Sequence, residues 1–176
     1  MHPRTQELLA HLTRARVELA EAVASVPPSA RQTRPGTDQW SVAEILEHLA
    51  IVEARIGAMV TRDVAAARAS GLPRETSDSS VLDTVDVAGL KDRRQKRVAS
   101  EASLPTGRLT ADEAWARLEA SRTELERALR DADGWALETL TQPHPRLGAM
   151  NLYQWIGFVG AHESRHAAQI ADIRLV

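Results

Sequence analysis

Residues 152–173 read LYQWIGFVGAHESRHAAQIADI. Leu152, Trp155, Ile156, Val159, Ile170 and Ile173 recur three and four positions apart, the spacing of one buried face on an α-helix. The stripe has a hole in its middle, and His162 and His166 fill it, so imidazoles stand where leucines are expected. Asn151 ahead of the run, with Gln154 three residues later, forms an N-terminal capping box. The pattern predicts a helix from about 152 nearly to Val176.

Three further helices follow from the same periodicity. Leu8, Leu12, Ala15, Leu19, Val23 and Val26 make one amphipathic face from about Pro3 to Val26, ended by Pro27-Pro28. Ser41 and Glu44 form a second capping box with Trp40 placed to staple onto Ile45, and the stripe Ile45, Leu49, Val52, Ile56 and Met59 carries that helix to about Ala69. Thr110 and Glu113 open a helix that extends to about Arg130 through Trp115, Leu118, Leu125 and Leu129, before Gly134. Residues 70–109, with scattered Gly, Pro and Ser, read as a long crossover holding one short helix within Asp86 to Ser100. No segment alternates long enough to argue for a strand. The expectation is all-α: a single domain over residues 1–176, a four-helix bundle with a long crossover connection.

Composition narrows the function classes. At 176 residues the chain can bury a continuous core without disulfides or a structural metal. A net charge of -2 with 26% charged residues argues against a nucleic-acid partner for the whole chain. The basic run Lys91 to Arg97 reads as a solvated helix face, because no aromatic residues interleave with it for base stacking. There is no cysteine, so the chain supplies no thiolate of its own. The first residues lack a secretory layout, and the longest uncharged run, Leu147 to Ala161, falls short of the roughly 20 residues of a membrane span. The expected location is cytoplasmic, with no membrane partner.

Two histidines four apart share a helix face with β-carbons about 6 Å apart, so His162 and His166 can converge on one ion. His48 stands at the edge of the second helix's buried stripe and also faces inward. Facing helices of a bundle build metal sites from such side chains, and three histidines leave coordination positions for water or substrate. The competing reading is that each is a core histidine bonded to its own carbonyl or carboxylate, as buried polar groups normally are. His2, His11 and His144 have no partner at ligand spacing and are assigned to surface or loop. The four tryptophans, Trp40, Trp115, Trp135 and Trp155, are assigned to core packing.

Residues 162–166 are also a literal H-E-x-x-H, in which Glu163 would be the general base of a zinc protease. That reading needs a third ligand downstream, and only Asp172 offers a carboxylate among the ten residues that follow His166. Gln169 stands where the longer form of the motif has glycine. Glu163 is kept as a candidate base near metal-bound water, with a solvated helix residue as its alternative.

The segment Trp40 to Ala50 (WSVAEILEHLA) taken with Ala161 to Ile170 (AHESRHAAQI) resembles the DinB-like (YfiT-like) superfamily. The likeness extends over Trp115 to Leu129 and Pro145 to Trp155 and is weakest over 70–109. It implies a four-helix bundle, commonly a homodimer, whose one divalent metal ion is held by His48, His162 and His166. Zinc or nickel leads, with iron, manganese or copper as alternatives. It further implies an enzyme that transfers a low-molecular-weight thiol of the bacillithiol, mycothiol or glutathione type to a small electrophilic substrate. A hydrolase using metal-bound water, and a non-catalytic metal-binding bundle, are the alternatives.

Overall fold

The computed structural model describes residues 1–92, 94 and 99–173. Four long helices dominate: α1 (Pro3–Ala24), α2 (Val42–Ala69), α4 (Ala111–Asp131) and α5 (Leu152–Ala171). Among the described residues of the crossover there is one short α-helix, α3 (Val87–Lys91), with 3-10 turns at Leu82–Thr84 and Glu101–Ser103. α1 packs along α5 and α2 along α4, with α2 also meeting α5. Among the described residues no helix is long and apolar enough to cross a membrane.

The starts of the helices are where side-chain chemistry puts them. Ser41 Oγ accepts from the Glu44 amide at 3.2 Å while the Glu44 carboxylate accepts from the Ser41 amide at 2.9 Å. Thr110 with Glu113 and Asn151 with Gln154 repeat the exchange, so two orphan amides are satisfied at each of three helix starts. α3 is capped by Asp86, whose carboxylate accepts from the Gly89 amide at 2.8 Å.

Three expectations need correction. A two-stranded antiparallel hairpin, β1 (Thr141–His144) and β2 (Gly148–Asn151), precedes α5 and pairs His144 with Gly148. Four-residue strands holding Pro143 and a glycine are too short for alternation to register, and Gly148 at φ +78° supplies the backbone turn. The α1 helix ends at Ala24 and α5 at Ala171, and the expected continuation over 174–176 lies outside the described residues. So do Arg93, Gln95, Lys96 and Arg97 of the basic run; Lys91 reaches Glu18 at 3.5 Å and Arg94 pairs with Asp92.

The third correction concerns His11, which the sequence assigns with His2 and His144 to surface or loop. His2 is the N-cap of α1, its Nδ1 accepting from the Arg4 amide at 3.3 Å. His11 is buried, and its Nε2–H donates to the Gly157 carbonyl at 3.0 Å. The ring fits only because α5 has glycine opposite it: a Cβ on Gly160 would lie 2.4 Å from His11 Nε2. Glycine at 160 thus lets α1 approach α5 with an imidazole between them, while a Cβ on Gly157 would instead press on Val85 of the crossover at 3.1 Å.

Burial holds the His11 imidazole below its ordinary value of 6.5, partly offset by the Gly157 carbonyl. The unfolded chain therefore binds the proton more readily than the folded one in the window below that value. The stability tied to His11 is complete above about pH 6.5 and is lost as pH falls through the lowered folded value. Denaturant titrations from pH 8 to pH 5 are expected to show stability falling in that window, and His11→Gln, which keeps a donor but cannot charge, to make the fall shallower. An unchanged slope would assign the loss to other groups.

Candidate metal centre

His48 lies in the second turn of α2, and His162 and His166 lie on adjacent turns of α5. His48 Nε2 is 3.3 Å from His162 Nε2, and His166 Nε2 is 3.1 Å from His162 Nε2. The three rings offer one nitrogen each within 4.8 Å of one another. They meet edge-on, with interplanar angles of 65° to 86°, rather than stacked.

The hydrogen bonds behind two rings decide what the front nitrogens carry. The Ser103 carbonyl can only accept, so His48 Nδ1–H donates to it at 2.7 Å and His48 Nε2 keeps its lone pair. Gln169 Oε1 accepts from His166 Nδ1–H at 2.8 Å, with the same result at His166. Two lone pairs therefore aim at His162 Nε2, which carries at most one proton to share between them. A cation at the centre satisfies all three nitrogens together, and the outer bonds are of the kind that orient imidazole ligands. Burial lowers the His48 pKa from its ordinary value, against the Ser103 carbonyl, so the ring stays neutral as a ligand must. The donor set thus fits a metal ion.

The triad opens onto a cavity of 1340 Å³ whose wall includes Trp40, Phe158, Arg165 and His144. Trp40 is not a staple on Ile45 alone: its ring lies 4.9 Å from that of His48 and 6.5 Å from that of His166, flanking the site. Trp155 also lines the cavity, whereas Trp115 and Trp135 carry Arg16 and Arg74 on their faces. Asp172 lines the cavity without joining the nitrogen cluster. Sequence spacing located all three histidines. It missed Ser103, because a backbone acceptor in an irregular crossover has no residue-type signature. Gln169 was visible only as a departure from a protease motif, although its spacing of three from His166 could have marked it as a partner.

Glu163, the candidate base, is placed elsewhere. It is 1% exposed, Arg16 Nε–H donates to its Oε1 at 2.5 Å, and Arg122 Nη2–H donates to its Oε2 at 2.5 Å. Arg122 also donates to Glu53 at 2.5 Å and to the Leu12 carbonyl at 2.8 Å, and Arg16 reaches Glu53 at 3.3 Å and Glu119 at the surface. Both carboxylate oxygens are thus committed to arginines inside the bundle, and Glu163 is not placed to act as a base in the cavity. No glutamate from the H-E-x-x-H pattern lines the cavity.

Arg122 is the member whose loss strands most charge, since Glu53 and Glu163 would then face each other with Arg16 as their shared cation. Burial already pushes the Glu53 carboxyl up against the pull of Arg122. Arg122→Met is expected to lower stability by about 3–5 kcal/mol, read as a shift in urea midpoint. Adding Glu163→Gln is expected to recover part of that loss, and purely additive effects would contradict coupling between the two.

A model of the DinB superfamily matches residues 11–170. The uncharacterized protein YuaE of Bacillus subtilis (strain 168) is 25% identical over 161 residues, covering 91% of this chain and 93% of its own length. Among solved structures, that of TT2238, a four-helix bundle protein, agrees with a TM-score of 0.60 at 19% identity, covering 94% of this chain and 95% of the other. At that identity the likeness speaks to the fold alone.

Proposed function

The chain belongs to the DinB superfamily, and on that footing we propose that it is a metal-dependent enzyme that joins a low-molecular-weight thiol to an electrophilic small molecule, with His48, His162 and His166 as ligands of one zinc or nickel ion. The observation that carries the reading is the convergence of three imidazole nitrogens within 4.8 Å at the wall of the cavity. A divalent cation held by neutral ligands lowers the pKa of a thiol or water that binds it.

The chain's own residues do the rest. The Ser103 carbonyl and Gln169 orient two of the rings toward the common centre. The cavity of 1340 Å³ exceeds the roughly 300–1,000 Å³ of a site for one drug-sized molecule, which supports two reactants side by side. Trp40, Phe158 and Trp155 give it apolar walls that hold an organic group away from water. The absence of cysteine leaves no protein thiol for an electrophile to consume.

Protein purified without chelators is expected to carry close to one divalent metal per chain by elemental analysis, with His166→Ala nearly empty. Gln169→Leu removes only the orienting bond and is expected to weaken metal affinity about 10–100-fold. The reaction is checked by incubating metal-loaded protein with an electrophile and each candidate thiol. Thiol-dependent consumption supports transfer, whereas product in water alone assigns a hydrolase and refutes the thiol reading.

A further inference from the structure

The four long helices form two pairs, α1 with α5 and α2 with α4, and α2 meets α5 less extensively than either meets its own partner. The candidate ligands lie across the seam between those pairs, His48 on α2 and His162 with His166 on α5. A metal site tolerates only about 0.2 Å of error in its bond lengths. Apolar packing at a seam is non-directional and sets no such limit by itself.

Four charged side chains, largely removed from water, cross the same seam. Arg122 of α4 donates from Nη2–H to Glu163 Oε2 of α5 at 2.5 Å and from Nη1–H to the Leu12 carbonyl of α1 at 2.8 Å. Arg16 of α1 reaches Glu53 of α2 at 3.3 Å. Within the pairs, Arg16 donates to Glu163 and Arg122 to Glu53, each at 2.5 Å, so each carboxylate is held from both pairs at once. Glu163 directly follows His162, and Glu53 stands five residues after His48, about 7.5 Å along the α2 axis. The same short stretches of α2 and α5 therefore carry both the imidazoles and the carboxylates.

We propose that Arg122, Glu163, Glu53 and Arg16 are positioning residues for the metal centre, a role that rests on the three histidines being its ligands: they fix the seam at the separation where His48 meets His162 and His166. Charge-assisted hydrogen bonds are short and directional. A guanidinium displaced at this seam would leave a carboxylate unpaired where water reaches it poorly, so sliding of one pair against the other is penalised. The coupling runs both ways, because an ion that draws the rings together favours the closed charge layer by the same factor that the layer favours the ion.

Cobalt(II) titration of the full chain, followed by its visible d–d bands, reads affinity and coordination geometry together. Glu163→Gln keeps the size of the side chain and removes its charge; cobalt binding is expected to weaken about five- to thirtyfold, with altered bands at saturation. Arg122→Lys keeps the charge but cannot fork to Glu53 and Glu163 together, and the same outcome is expected. Leu137→Ala truncates a fully buried leucine that neither lines the cavity nor lies on a long helix. It lowers the urea midpoint and is expected to bind cobalt as the wild type does. Circular dichroism before titration establishes that each variant is folded, and Glu163→Gln, the milder change, decides the matter where Arg122→Lys does not fold. Wild-type affinity and bands in the folded charge variants, or an equal loss of affinity in Leu137→Ala, would overturn the positioning role and leave the histidine ligands in place. A wild-type chain that takes up no cobalt would refute the metal reading itself, and the positioning role with it.

Discussion

A layer of buried charge divides this bundle, and the placement of everything else depends on it. Arg16, Glu53, Arg122 and Glu163 come one from each long helix and meet at the same level. Above and below them the apolar side chains separate into two clusters, one around Leu12, Ile56, Leu125 and Ile156 and the other around Leu19, Ile45, Leu118 and Ile170. Each guanidinium bridges two carboxylates, so any rotation or slide of one helix strands charge in a place where it is poorly solvated. Replacing such a layer with leucines would often be neutral or better for stability, so its value here lies in geometry rather than in free energy gained.

That geometry bears on the triad directly. Glu163 is the residue after His162, and one step along an α-helix turns about 100° around its axis. Holding Glu163 between the arginines of α1 and α4 therefore directs His162 and His166 toward α2, where His48 waits. The same carboxylate that looks like a catalytic base in a one-line motif serves as the peg that sets the helix's rotation. Glu53, little more than one turn beyond His48, does the equivalent for α2.

Parts of the chain outside the four helices complete the site. The crossover brings the Ser103 carbonyl behind His48, and Arg165 of α5 donates to the carbonyls of Leu90 and Asp92 at the crossover's far side. Arg4, buried in α1, gathers Glu75, Glu138 and the Ser79 carbonyl and so pins the crossover's beginning. The hairpin adds His144 to the cavity wall. A bundle core supplies the nitrogens, and irregular segments supply what orients them and what lies opposite.

The periodic positions of α1, α2, α4 and α5, three capping boxes and the interrupted apolar stripe of α5 were written in the residues themselves, because a helix repeats its environment every three or four positions. The three histidines were legible for the same reason: each breaks or borders a stripe. His11 was not, since its burial depends on the missing side chain of Gly160 and on the backbone carbonyl of Gly157, in a helix far along the chain, and neither announces a partner. Nor were the hairpin and Ser103, whose roles rest on backbone groups that every residue shares. Glu163 shows the limit most clearly: its residue type and spacing fit a base, and only the approach of Arg16 and Arg122 from other helices decides that its oxygens belong to the interior. Local pattern determines which side chains face inward; which inward-facing groups meet is settled by the packing of segments distant in the chain.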